Sequence, residues 1–129
     1  MKAKILVADD SATIQKIVAM SFENEDYSVV AVNNGKQAFD KLSEVKPDIV
    51  LADTDMPGLT GYQLSQKIKA SKEFSSIKVL LLTSDFEDFN DGLFKSCNAD
   101  GHISKPFKSD EIVKKVNQLL NSASENQAA

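Results

Sequence analysis

The chain has 129 residues, enough for one domain around one core, and its 42% hydrophobic and 26% charged content is ordinary for a water-soluble globule. No apolar run approaches membrane-spanning length, and a net charge of -4 with a pI near 4.9 lacks the positive field that holds a phosphate backbone, so neither membrane nor direct nucleic-acid binding is expected. All fifteen basic residues are lysines, which removes the bidentate guanidinium clamp and leaves metal, Lys, hydroxyl or backbone N–H to meet any phosphate.

Met1-Lys2-Ala3-Lys4 leads straight into an apolar run instead of a signal peptide, which predicts a cytoplasmic protein. Lys4 to Ala8 reads as the first strand, closed by Asp9-Asp10-Ser11, which also caps the first helix. Ile14, Ile17, Val18 and Phe22 recur at helical spacing and predict that helix from Ala12 to Asn24. Tyr27 to Val32 is short and β-branched, and Asn33-Asn34-Gly35 ends it. A second helix then turns Ala38, Phe39, Leu42 and Val45 inward until Pro47 stops it. Asp48 to Ala52 is the third strand, and Tyr62 to Ala70 a modest helix with Leu64 and Ile68 one turn apart.

Ile77 to Leu82 is the fourth strand, its unbroken Val79-Leu80-Leu81-Leu82 run suited to burial on both faces, as a central parallel strand requires. From Asp85 to Ser96 the helical signal is weakest: Gly92 costs about 1 kcal/mol relative to Ala, and Phe86, Phe89 and Phe94 form no clean stripe, so a mobile helix is expected. Cys97, the only cysteine, reads as a packing thiol. Asp100 to Ser104 forms a short fifth strand, Lys105-Pro106 breaks it, and Ser109 caps a last helix that buries Ile112, Val113, Val116, Leu119 and Leu120. Residues 1–121 therefore read as one domain, and residues 122–129 as a disordered tail or the start of a linker.

Alternating strands and helices predict an α/β parallel sheet covered on both faces. In such a sheet the C-terminal ends of the strands share one edge, so Asp9-Asp10, Asp53, Thr83 and Lys105 can meet although far apart in sequence. Three carboxylates brought that close repel one another unless a cation neutralises them, and a cluster with oxygen donors and no sulfur or imidazole suits a hard ion, Mg²⁺ best.

These features, in order, resemble the receiver domain of bacterial two-component response regulators: the Asp9-Asp10 pair, Asp53 followed by Asp55-Met56-Pro57-Gly58 and Gly61, Thr83, and Lys105-Pro106-Phe107. The resemblance covers residues 3 to 121 and implies a flavodoxin-like, doubly wound sheet of five parallel strands in the order 2-1-3-4-5 with five helices. It implies that Asp53 accepts a phosphoryl group from a histidine kinase or histidine phosphotransfer protein. Asp10, Asp53 and the backbone carbonyl of Asp55 would ligate Mg²⁺, with Asp9 acting through water. Thr83 and Lys105 would contact the phosphoryl group, and the Lys105–Pro106 peptide would be cis. Thr83 and His102 would switch the surface of the fourth helix, fifth strand and fifth helix for a downstream partner, a fused output domain or a phosphorylation-dependent dimer. His102 departs from the commoner Tyr or Phe, and its alternative reading is a partly exposed strand residue. By the same resemblance Asp55 and Asp85 would tune the lifetime of the phosphoryl group, while as residues they equally read as solvated loop carboxylates.

Two rival readings differ in class. A receiver-shaped scaffold that binds its partner regardless of phosphorylation would lack one of the acidic pair, Thr or Lys, and none is missing. An aspartyl-phosphate phosphatase shares the pattern of Asp53-Thr54-Asp55, but carries it after the first strand and adds a cap that this chain has no length for. The resemblance thus points to a signalling domain and not to an enzyme with a separate substrate.

Overall fold

A computed structural model describes residues 3–23, 26–84 and 91–128. Strands β1 (Ala3–Ala8), β2 (Tyr27–Val32), β3 (Ile49–Asp53), β4 (Lys78–Ser84) and β5 (Gly101–Lys105) alternate with helices α1 (Ala12–Ser21), α2 (Gly35–Val45), α3 (Gly61–Ala70), α4 (Asp91–Ser96) and α5 (Ser109–Ala128). All pairings are parallel, and the sheet runs β2-β1-β3-β4-β5. The predicted flavodoxin-like, doubly wound architecture is therefore the one observed.

Side chains alternate across a strand, so each strand feeds two cores. Leu6, Ala8, Val50, Ala52, Val79 and Leu81 pack with Ala38 and Leu42 of α2 and Leu64 and Ile68 of α3. Ile5, Val7, Ile49, Leu51, Leu80 and Leu82 pack on the other face with Val18 and Phe22, and with Ile112 and Val116 of α5. The four-residue apolar run of β4 is fully buried along its length.

Local chemistry sets the helix starts. Ser11 caps α1 by accepting from the Ile14 amide at 3.3 Å, and Asn34 caps α2 by accepting from Gln37 at 2.8 Å. Thr60 and Gln63 form a reciprocal capping box at α3. Lys46, left-handed at φ 53°, ends α2 immediately before Pro47.

Several expectations shift. Helix α1 ends at Ser21, with Phe22 as its C-cap, instead of reaching Asn24. Ser109 is the first helical residue of α5 and not its cap: Lys108 fills that place, its carbonyl accepting from Ile112 and its amide donating to Glu111 Oε1, while the Ser109 hydroxyl meets that of Ser21 at 2.9 Å. Helical backbone continues through Ala128, past the predicted start of a tail at residue 122. Ser, Ala, Glu and Gln are all admissible in helical backbone, so the end of the apolar stripe in the sequence does not mark the helix end. The helix expected over Asp85–Ser96 is described only for Asp91–Ser96; residues 85–90, including Asp85, lie outside the described residues.

Because both faces of β4 are covered, Leu80→Ala and Leu81→Ala, on opposite faces, are each expected to cost about 2–5 kcal/mol in urea denaturation. A sheet with one solvated face would spare one of the two.

Candidate functional site: an acidic pocket at the sheet edge

The same alternation that builds the cores aims the polar residues at the C-terminal edge. Asp53 ends β3 on the side of Ile49 and Leu51, and Lys105 ends β5 on the side of Ile103. Asp9 follows β1 on the side of Ile5 and Val7, and its amide extends the strand ladder by donating to Val32 at 3.2 Å. The three side chains converge. The Lys105 ammonium lies 2.9 Å from Asp9 Oδ2 and 3.2 Å from Asp53 Oδ2, and the Lys105–Pro106 peptide is cis.

Further groups hold each carboxylate. Asp9 is fully buried; its Oδ1 accepts from the Ser11 amide at 2.8 Å, whereas Oδ2 has the ammonium nearby but no well-aligned hydrogen bond. Asp53, 6% exposed, accepts at Oδ1 from the Asp55 amide at 3.2 Å, so the turn after β3 folds back onto its carboxylate. Gly61, at the start of α3, lies so close behind it that a Cβ there would stand 2.5 Å from the Asp53 carbonyl oxygen. Gly58 takes the left-handed turn of the same loop, at φ 76°.

Asp10 stands exposed at the pocket mouth, and carboxylate oxygens of Asp9, Asp10 and Asp53 lie within 4.8 Å of one another. Among the described residues these three carboxylates gather beside one ammonium, which leaves an excess of negative charge. Oxygen donors, partial burial and that excess fit a hard divalent cation.

Burial raises the Asp53 pKa above its ordinary 3.8; the Asp55 amide and the Lys105 ammonium oppose the rise and the Asp9 charge adds to it. Burial alone would lower the Lys105 pKa. Its contact with Asp9 and the charges of Asp53 and Asp9 outweigh burial and hold it above 10.5.

Thr83 is buried on the opposite face of β4 from Leu82, and its hydroxyl donates to the Ile103 carbonyl and meets the Ser104 hydroxyl, both at 3.3 Å. Those contacts turn it toward β5, which pairs Thr83 with Ser104.

A family model described as Response regulator receiver domain matches residues 5–117. The chain belongs to that family. The receiver is 34% identical over 124 residues to the transcriptional regulatory protein ResD of Bacillus subtilis, covering 96% of this chain and 50% of that protein. It is 31% identical to the phosphate regulon transcriptional regulatory protein PhoB of Pseudomonas aeruginosa, covering 90% of this chain and 51% of PhoB. The receiver thus spans about half the length of the curated relatives it matches. Among solved structures, the signal receiver domain of a histidine kinase from Syntrophus aciditrophicus superposes with a TM-score of 0.83 at 31% identity, over 93% of this chain and 91% of that one. The chemotaxis response regulator CheY4 of Vibrio cholerae shares the fold, with a TM-score of 0.85 at 24% identity over 92% of this chain and 99% of that one. The receiver is a signalling domain of the two-component type, and no described helix is long and apolar enough to cross a membrane.

His102 lies away from the pocket in the sense of the alternation. It is half-buried on β5, its ring packed edge-on against Phe94 of α4 with centroids 5.1 Å apart. Burial and then the Lys115 charge lower its pKa below 6.5, favouring a neutral imidazole.

Sequence reasoning missed several supporting residues: Ser104 beneath Thr83, Phe94 against His102, Gln15 beside Asp9, and Ser65, whose buried hydroxyl donates to the Cys97 carbonyl at 2.9 Å. Only Phe94 carried a signal, being apolar in a helix without a stripe.

A raised Asp53 pKa means that the ionised carboxylate costs stability: its favourable contribution is present below pH 3.8 and lost as pH rises through the raised value. Asp53→Asn is therefore expected to stabilise the metal-free receiver at pH 7, with the gain over wild type vanishing below pH 3.8. Urea denaturation of both proteins across that range checks it.

Proposed function

We propose that this receiver accepts a phosphoryl group on Asp53 from a histidine kinase or histidine phosphotransfer protein, and that the modified state alters the α4-β5-α5 surface for a downstream partner. The observation that carries the reading is the buried Asp53 carboxylate held 3.2 Å from the Lys105 ammonium beside two further aspartates. An Asp53 oxygen forms the new O–P bond as the N–P bond of the phosphohistidine donor breaks. A carboxylate needs no general base, so the chain's work is placement and charge balance.

Each residue then has a part. Lys105 pairs with the phosphoryl oxygens as negative charge arrives. Asp10, Asp53 and the Asp55 carbonyl would hold Mg²⁺ directly and Asp9 through water; when bound, the ion supplies charge neutralisation opposite Lys105. The Thr83 hydroxyl leaves two long contacts on β5 for the phosphoryl group, and His102, in contact with α4, carries the change to the output face. Asp55, exposed at the mouth, bears on how long the phosphoryl group survives, as would Asp85.

ResD and PhoB are by name transcriptional regulators, and the similar MtrA is named a DNA-binding response regulator. Their similarity supports an output that ends in gene control through a fused or separate element. This acidic, arginine-free domain would not grip the nucleic acid itself.

Adding Mg²⁺ and beryllofluoride while following amide NMR shifts tests the reading. Large changes are expected around Asp53, Thr83 and β5, and none of the beryllofluoride effect in Asp53→Ala. Changes confined to the acidic pair would favour a phosphorylation-independent scaffold.

A further inference from the structure

Behind the acidic pair stands a residue to which the reading above gives no part. Gln15, half-buried on α1, directs its side-chain amide nitrogen at three oxygens: the Asp9 carbonyl at 2.7 Å, the Val32 carbonyl at 3.2 Å and Asn33 Oδ1 at 2.9 Å. Two of these are backbone carbonyls, which can only accept, so the NH₂ end must face them.

The contact joins two loops. Asp9 follows β1, and Val32 and Asn33 close β2. Asp9 is thereby held at every polar group: its amide on Val32, its carbonyl on Gln15, Oδ1 on the Ser11 amide and Oδ2 facing Lys105. Its carbonyl belongs to the Asp9–Asp10 peptide, so fixing that oxygen fixes the plane from which the exposed Asp10 side chain departs.

The clasp continues toward the acceptor loop. The Asn33 amide donates to Gln37 Oε1 at 2.9 Å in the first turn of α2, and Gly35 there sits so tightly on the β3–α3 loop that a Cβ would stand 2.5 Å from the Leu59 carbonyl oxygen. The loops after β1, β2 and β3 are thus tied side by side, with Gln15 at one end of the chain of contacts.

We infer that Gln15 is a positioning residue for the cation site: by donating to the Asp9 carbonyl and to the end of β2, it holds the Asp9–Asp10 peptide in the orientation that lets Asp10 share a divalent ion with Asp53. This rests on the cation-binding reading above. Gln15 touches neither ion nor phosphoryl group; it acts through Asp9. Groups that orient metal ligands at one remove typically change affinity by about 10- to 100-fold when lost.

The test titrates Mg²⁺ alone into wild type, Gln15→Leu, Gln15→Glu and Gln15→Arg, following backbone amide shifts, with urea denaturation in EDTA as the measure of folding. Gln15→Leu removes both donors, Gln15→Glu places an acceptor against two carbonyls, and Gln15→Arg keeps N–H donors at the site. The expected result is Mg²⁺ affinity lowered about 10-fold in the Leu and Glu variants and restored toward wild type in the Arg variant. In wild type, the Gln15 side-chain NH₂ signals should move with the same Mg²⁺ midpoint as the Asp10 amide; this readout holds even where a variant fails to fold. Wild-type affinity in a folded Leu or Glu variant, or NH₂ signals unmoved through saturation, would overturn the inference and leave the cation site standing. Failure of wild type to bind Mg²⁺ would instead sink the functional reading.

Discussion

Everything at the C-terminal edge of this sheet depends on one ammonium shared by two buried carboxylates. Lys105 comes from the last strand, Asp9 from the end of the first and Asp53 from the third, and their contacts of 2.9 and 3.2 Å close the edge across β1, β3, β4 and β5. Taking charges of one sign into a half-buried site is costly unless an opposite charge is present, and removing the ammonium would leave the carboxylates uncompensated. A single cation against three aspartates does not complete the balance. The pocket is folded and yet electrostatically unfinished, the condition that the proposed divalent ion would relieve.

The two cores explain how so small a domain keeps this arrangement rigid. Strand alternation sends Asp53 and Lys105 to the α1/α5 side of the sheet and Thr83 and Ser104 to the other. The acid pocket and the contact between His102 and Phe94 therefore lie on different faces, joined through β4 and β5. The two faces are linked by the strands' own pairing, Thr83 against Ser104 and Leu81 against His102, the route that the proposed switch would use.

Much of this was legible in the sequence, for physical reasons. Apolar runs ending at a polar residue located the strands within a residue or two, and Ser11 marked a helix start because its side chain competes for the orphan amides there. The convergence of Asp9, Asp53 and Lys105 followed from parallel topology. The supporting contacts were not legible. Gln15, Ser65 and Ser104 are single polar residues with no periodicity, and their partners are largely backbone carbonyls whose positions only the folded chain defines. The cap of α5 was misread because a backbone carbonyl and Glu111 serve at Lys108, where no short polar side chain announces them. The apolar stripe of α5 stops at Leu120 whereas its helical backbone runs to Ala128, because a helical backbone can outlast the stripe.

The most direct measurement of the central claim is a carboxyl ¹³C NMR titration of the metal-free receiver and of Lys105→Met. Asp53 is expected to titrate above its ordinary 3.8 in wild type and higher still in the variant, because the Asp55 amide and the Lys105 ammonium together restrain the effect of burial and of Asp9, and the variant keeps only the amide. An Asp53 that titrates at the ordinary value and is indifferent to the loss of Lys105 would contradict it.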